Sequence, residues 1–99
     1  SLKMDKLELT TFDITQYLDS KEAIAEYLSQ VLQDGDNQEL IRAIGYIAKA
    51  KGMSKVAKET KLSRESLYKA LKSDAKPRFE TILKVIDSLD LQLLVAPKR

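Results

Sequence analysis

Apolar residues recur at helical spacing over most of this chain and at strand spacing only near its two ends. Ala23, Ile24, Tyr27, Leu28, Val31 and Leu32 form one stripe, which predicts a helix from about Ser20 to Gln33. Asp19 and Glu22 resemble a capping box at its start, and Gly35, a residue free to turn left-handed, ends it. A second helix is expected from Asp36 or Asn37 to Gly52, opened by the pair Asp36 and Glu39. Leu40, Ile41, Ile44, Ile47 and Ala48 make its buried face; Arg42, Lys49 and Lys51 fall on its exposed side. Two short helices follow, Lys55 to about Thr60 capped by Ser54 and Arg64 to about Lys72 capped by Ser63. Lys61, Leu62 and the capping Ser63 are left to turn the chain between them. A last helix, about Arg78 to Leu89, carries Phe79, Ile82, Leu83, Ile86 and Leu89 on one face, with Pro77 at its entrance.

At the ends the period changes. Leu7 to Thr11 alternates as a short strand would, and Phe12, Ile14, Tyr17 and Leu18 form an apolar arm able to dock on the core or on a partner. Leu91 to Ala96 reads as a strand closed by Pro97; such a strand needs another strand beside it, in the same chain or in a second copy. The expected fold is therefore all-α, a bundle of about five helices with a short C-terminal β-strand. With no repeat, low-complexity tract or linker, residues 1–36 are expected to form an arm and helix packed on the same domain as residues 37–99. Ser1, Leu2 and Lys3 precede Met4 and are set aside in this reading.

Composition removes several function classes. The 99 residues hold no Cys and no His, hence no disulfide, no thiolate metal site, and neither the commonest transition-metal ligand nor the commonest general base. Gly35, Gly45 and Gly52 are isolated, so no glycine-rich phosphate loop exists. A catalyst would have to rest on Asp, Glu, Lys or Tyr in a pocket that so small a helical domain can scarcely enclose. No catalytic, cofactor or metal residues are assigned. The run Leu93 to Ala96 is too short to span a membrane, and no basic start precedes an apolar stretch as in a signal peptide; a cytoplasmic protein is expected.

Charge adds a direction. The net +2 conceals 3 Lys against 9 acids between Ser1 and Ile41, and 12 basic residues against 4 acids between Arg42 and Lys84. An acidic front and a basic middle suit a nucleic-acid face joined to a separate surface for another partner, although solvated helices carry many charges in any case.

The basic middle contains the informative stretch, Met53 to Leu71. Two short helices packed steeply need small or apolar residues at fixed offsets: Ala57 where they approach, and Val56, Leu62, Leu67 and Leu71 between them. Ser63 then leaves the first turn of the second helix presenting free N–H groups and short side chains toward phosphates and base edges. That spacing is the pattern of a helix-turn-helix. Residues from about Asp36 to Pro97 resemble the lambda-repressor-type (Xre) domain, and "VAKETKLSRESLYKAL" followed by "PRFETILKVIDSLDLQLLVAP" resembles the HigA-type antidote proteins of addiction modules. The front, "FDITQYLDSKEAIAEYLSQVLQDGD", is similar to the same family. The resemblance implies an antitoxin that binds a small toxin protein encoded beside it and represses the shared operon as a dimer. It also implies glycine at the turn, where this chain has Lys61; if the turn keeps its shape, Lys61 takes positive φ at a strain of about 1 kcal/mol.

Double-stranded DNA is thus the expected partner, read in the major groove by Arg64, Glu65, Ser66, Tyr68 and Lys69. Arg64 can bond bidentately to guanine, and Ser66 can reach a base edge or a phosphate. Glu65 can accept from a cytosine amino group, yet an acid in a first turn favours the helix dipole with no DNA present. Tyr68 can reach a phosphate or simply cover the core. Lys69 and Lys72 supply charge rather than geometry, and Ser54, Lys55, Lys76 and Arg78 suit phosphate contacts flanking the helix that Ser63 opens. Any one of these lysines is explained by solvation alone; the set is better explained by phosphate. A homodimer is expected, joined through the chain's ends or last helix, because such proteins read two half-sites about 34 Å apart. The competing reading keeps the fold without specific DNA binding and makes the acidic front, about Phe12 to Asp36, the seat of a basic toxin.

Overall fold

The computed structural model describes residues 20–72 and 74–98. Five helices follow in order: α1 (Lys21–Asp34), α2 (Asn37–Lys51), α3 (Met53–Thr60), α4 (Arg64–Ala70) and α5 (Phe79–Ser88). The stretch 7–18, expected as a strand and an apolar arm, lies outside the described residues.

Each helix starts and stops for a local reason. Ser20, not Asp19, caps α1, its Oγ accepting from the Ala23 N–H at 3.1 Å. Gly35 closes α1 in an extended conformation (φ −97°), so it is not the left-handed terminator that its identity suggested. A side chain there would collide with Glu39 Oε1 at 2.8 Å and the Val31 carbonyl at 2.9 Å; crowding is what requires glycine. Asp36 caps α2 as expected, accepting from the Glu39 N–H at 2.8 Å.

Gly52, at φ 114°, is the whole joint between α2 and α3: it donates to the Ala48 carbonyl at 2.9 Å and accepts from the Val56 N–H at 3.0 Å. This corrects the expected start of α3. The helix opens at Met53, which is buried, and Ser54 sits inside the first turn rather than capping it. No side chain caps this end.

The core fills the space between α2, α3, α4 and α5. Ile44, Val56, Leu67 and Val85 are its fully enclosed members, with Ile47, Ala48, Met53, Leu71 and Leu89 around them. α1 packs on α2 through Leu28 and Val31, and α3 touches α2, α4 and α5, which makes this eight-residue helix the hub of the bundle. Lys51 was expected on the open side of α2. It instead reaches Glu59 Oε1 on α3 at 3.1 Å and donates to the Ser88 carbonyl at the end of α5. No helix among those described is long and apolar enough to cross a membrane.

Three apolar expectations fail. Leu32 on α1 and Phe79 and Leu83 on α5 were assigned to buried faces; they are 50%, 67% and 40% exposed. On α5 the expected Ile86 and Leu89 are buried, joined by Val85 and Ser88, and Ile82 packs against the core.

The C-terminal strand also does not form. Asp90 turns left-handed (φ 62°), and the Leu91 N–H closes back on the Ile86 carbonyl at 3.2 Å, a Schellman-type end to α5. Leu91 packs on the core, but Leu94 and Val95 are 81% and 100% exposed. Among the described residues no backbone–backbone hydrogen bond engages residues 92–98, so β-compatible side chains lack the neighbouring strand that a ladder requires.

Candidate nucleic-acid interface

α3, the connection Lys61–Ser63 and α4 form one rigid unit, and the rigidity comes from its side chains. Val56 and Leu67 are 0% exposed; Ala57 is small enough to lie at the helix contact and is almost as buried. Lys61 takes φ 63° and ψ 23°, the left-handed conformation expected of it, and its N–H donates to the Ala57 carbonyl. The Leu62 N–H reaches the same carbonyl at 3.2 Å, while buried Thr60 Oγ1 donates to the Val56 carbonyl at 2.7 Å. The last turn of α3 and the connection thereby satisfy each other's polar groups.

α4 then begins under a strong cap. Ser63 Oγ accepts from the Ser66 N–H at 3.0 Å and donates to Ser66 Oγ at 2.9 Å. Both hydroxyls are exposed, so Ser66 presents its oxygen at the start of the helix while holding that start closed. With Leu67 and Leu71 turned inward, Arg64, Glu65, Ser66, Tyr68 and Lys69 all remain exposed.

Two pairs order this outer surface. The Arg64 guanidinium lies 5.8 Å from the Tyr68 ring centre, within cation–π range. Lys69 Nζ stands 3.7 Å from Glu65 Oε1, one helical turn away, and both are largely solvated. Glu65 therefore has a role that involves no DNA: it sits in the first turn and pairs with Lys69.

Ser54 and Lys55 are exposed in the first turn of α3, and Lys72 is exposed just past α4. Arg78 is exposed at the N-cap position of α5 and makes no side-chain capping bond. Lys76 differs from the others: it lies on the wall of a groove bounded by α1, α2, α5 and residues 91–94. Exposed Lys58 and Lys61 stand on the same α3–α4 unit and were absent from the sequence-based site. Their identity as lysines was the available signal. Away from this surface, burial raises the Tyr27 hydroxyl pKa above its ordinary value, with Glu39 and Tyr46 adding to the rise and Arg42 opposing it.

Among the described residues these features define a small helical protein in which a capped, cation-bearing helix packs on the core through Leu67 and turns its other face to solvent. Residues 8–97 match the family described as "probable addiction module antidote protein", and the chain belongs to that family. It is 40% identical over 92 residues to an uncharacterized protein of Haemophilus influenzae (strain Rd), covering 93% of this chain and 95% of that protein. No solved structure matches.

Proposed function

We propose that the chain is the antidote of a toxin–antitoxin pair and also a DNA-binding repressor of its own operon, of the lambda-repressor-type, HigA-like kind. α3 and α4 act as the helix-turn-helix, and α4 is the recognition helix. The observation that carries this reading is α4 itself: a helix whose Leu67 is fully enclosed while its first turn, capped by Ser63, exposes Arg64, Glu65 and Ser66 together. A helix so placed can enter a major groove about 12 Å wide with its N-terminal residues foremost.

Arg64 is the base reader in this scheme, with Ser66 beside it. Lys55, Lys69, Lys72 and Arg78 meet phosphates, helped by Lys58 and Lys61, and Ser54 lies with Lys55 at the flank. Two copies are needed to read two half-sites about 34 Å apart. Residues 1–36 and 37–99 work as one unit, consistent with the packing of α1 on α2. Membership of the antidote family supports a second activity, capture of a small basic toxin by the acidic front.

The test is binding of the purified chain to its own upstream DNA at low and physiological salt, beside Arg64→Ala. The wild type is expected to bind with affinity falling steeply as salt rises, because phosphate contacts release counterions. Arg64→Ala is expected to lose about 1–3 kcal/mol of sequence preference. Salt-insensitive binding, or an unchanged preference in the variant, would remove α4 from the role of reader.

A further inference from the structure

On the far side of α2 from its joint with α3 lies a groove of about 680 Å³, walled by α1, the start of α2, α5 and residues 91–94. Ala25, Leu28, Leu32, Phe79, Ile82 and Leu94 give it an apolar floor and lips. Leu32 is 50% exposed, Phe79 67% and Leu94 81%, so large apolar side chains face solvent together along one channel. Exposed apolar side chains grouped in this way mark a binding surface, whereas scattered ones do not. No residue of α3 or α4 lines the groove, so it is separate from the proposed DNA face, although Lys76, expected from the sequence to meet phosphate, lies on its wall.

The rim decides the occupant. Glu22 and Glu26 stand three residues before Ala25 and Ser29 of the α1 wall, and therefore flank it. Asp36 precedes Asn37, Asp87 follows Ile86, and Asp90 precedes Leu91, each beside a lining residue; all five acids are exposed. Exposed Glu39, Asp74 and Glu80 also adjoin lining residues. The cations of the same region are Lys76, the one charged residue of the lining, with Lys21, Arg42 and Arg78, so the surroundings hold eight acids against four cations. A second copy seated here symmetrically would set acidic rim against acidic rim. The chain's own residues 1–19 are also net acidic, with Lys3 and Lys6 against Asp5, Glu8, Asp13 and Asp19. Neither complements the rim.

We infer that this groove seats an amphipathic helix of a partner protein, apolar on the face that enters and rich in Lys or Arg along its flanks. The inference rests on the antidote reading and gives the captured toxin a docking surface that differs from the front segment alone: seven of its nineteen lining residues belong to α5 and the C-terminal segment. An i, i+3, i+4, i+7 row of apolar residues fits a channel of this kind, and basic flanks pair with the rim. Because the groove and α4 are disjoint, the antidote can hold its partner and DNA at once.

The probe is a labelled helical peptide of Leu and Lys about 18 residues long, beside the same apolar pattern with Glu replacing Lys. Both are titrated into the full chain at physiological salt, with amide chemical shifts followed by NMR. The Lys peptide is expected to bind at least about tenfold tighter, with shifts concentrated at Ala25, Ser29, Gln38 and Gln92. Leu32→Lys and Phe79→Lys change exposed positions, so each is expected to keep its melting temperature while weakening that peptide about tenfold. Operator affinity is expected to persist in Leu32→Lys.

Equal affinity for the two peptides, or shifts gathered on α4, overturns the inference. Self-association abolished by Leu32→Lys would assign the groove to a second copy, and tighter peptide binding after Phe12→Ser would assign it to the chain's own front. The antidote reading fails separately, if the full chain forms no complex with its co-encoded neighbour. A complex that forms but is indifferent to both Lys substitutions sinks the groove alone.

Discussion

Lys61 makes the turn with a residue that dislikes the required backbone. Its left-handed conformation brings Cβ against the following carbonyl, at a cost on the order of 1 kcal/mol that glycine would avoid. Lys61→Gly is therefore expected to stabilise the fold by roughly 0.5 kcal/mol once the added freedom of the unfolded chain is subtracted. The reading is a higher urea midpoint at unchanged slope; an unchanged midpoint would mean that the turn holds lysine without strain. If Lys61 also meets phosphate, the same variant weakens DNA binding while strengthening the fold, which explains why a strained residue occupies the position. Tyr27 supplies a second residue-scale outcome. Its folded pKa is raised, so below the ordinary value of 10.0 both states hold the neutral phenol and its full contribution is present. As pH climbs past 10.0 the unfolded chain ionises first and stability falls. Tyr27→Phe is expected to remove that part of the alkaline loss, measured as midpoint against pH.

At the scale of elements, the clearest device is the tie from Lys51 to Glu59 and Ser88. Three helix ends meet at one ammonium group that is only 20% exposed. Lys51→Ala is expected to cost about 1–2 kcal/mol, since a charge-assisted bond to a carbonyl near the core is lost while the Glu59 pair, partly solvated, adds little. Circular-dichroism melts check this; a change within about 0.3 kcal/mol would reduce the tie to a surface contact.

The helices themselves were readable from periodicity, because a 3.6-residue stripe needs only local information. The cap of α4 was readable too, since Ser63 and Ser66 are three residues apart. The tie was not: Lys51 and Ser88 are far apart in sequence, and Lys51 falls on the polar side of its own helix. The start of α3 was misread for a related reason. Ser54 is a good cap by type, but burial of Met53 pulls the helix back to Gly52. The exposed Leu32 and Phe79 show the limit of the stripe itself, which says that a face is apolar and not that anything within the chain covers it. The C-terminal strand expected over Leu91 to Ala96 failed similarly: strand-like side chains do not provide the second strand. On α4, residue types and exposure were legible, but the Arg64–Tyr68 and Glu65–Lys69 pairings became definite only with the helix built.

Over the whole molecule, among the described residues, α3, α4 and their connection expose Lys55, Lys58, Lys61, Arg64 and Lys69, while α1 exposes Glu22, Glu26 and Asp34. Specific DNA binding should therefore divide into separable parts. Lys55→Ala and Lys72→Ala are each expected to reduce the slope of log affinity against log salt by about 1 while leaving sequence preference intact, the opposite of Arg64→Ala. Slopes from anisotropy titrations at several salt concentrations decide it; a lysine variant that shifts preference without changing the slope would be a base reader instead. Lys76 lies on the wall of the groove and close in sequence to Arg78, so it is the position at which an occupied groove would alter the salt slope.

The meeting of α2, α3 and α5 at Lys51 also bears on how the molecule opens. Helices tied at their ends do not fray one at a time, so the amides of Ala48, Thr60 and Leu89 should exchange with deuterium through one common opening, at close to the free energy of global unfolding. Residues 92–98, with no backbone bonds among the described residues, should exchange almost at once. Such a molecule would keep the mounting of α4 intact through the small fluctuations that repeatedly release and recapture its C-terminal end.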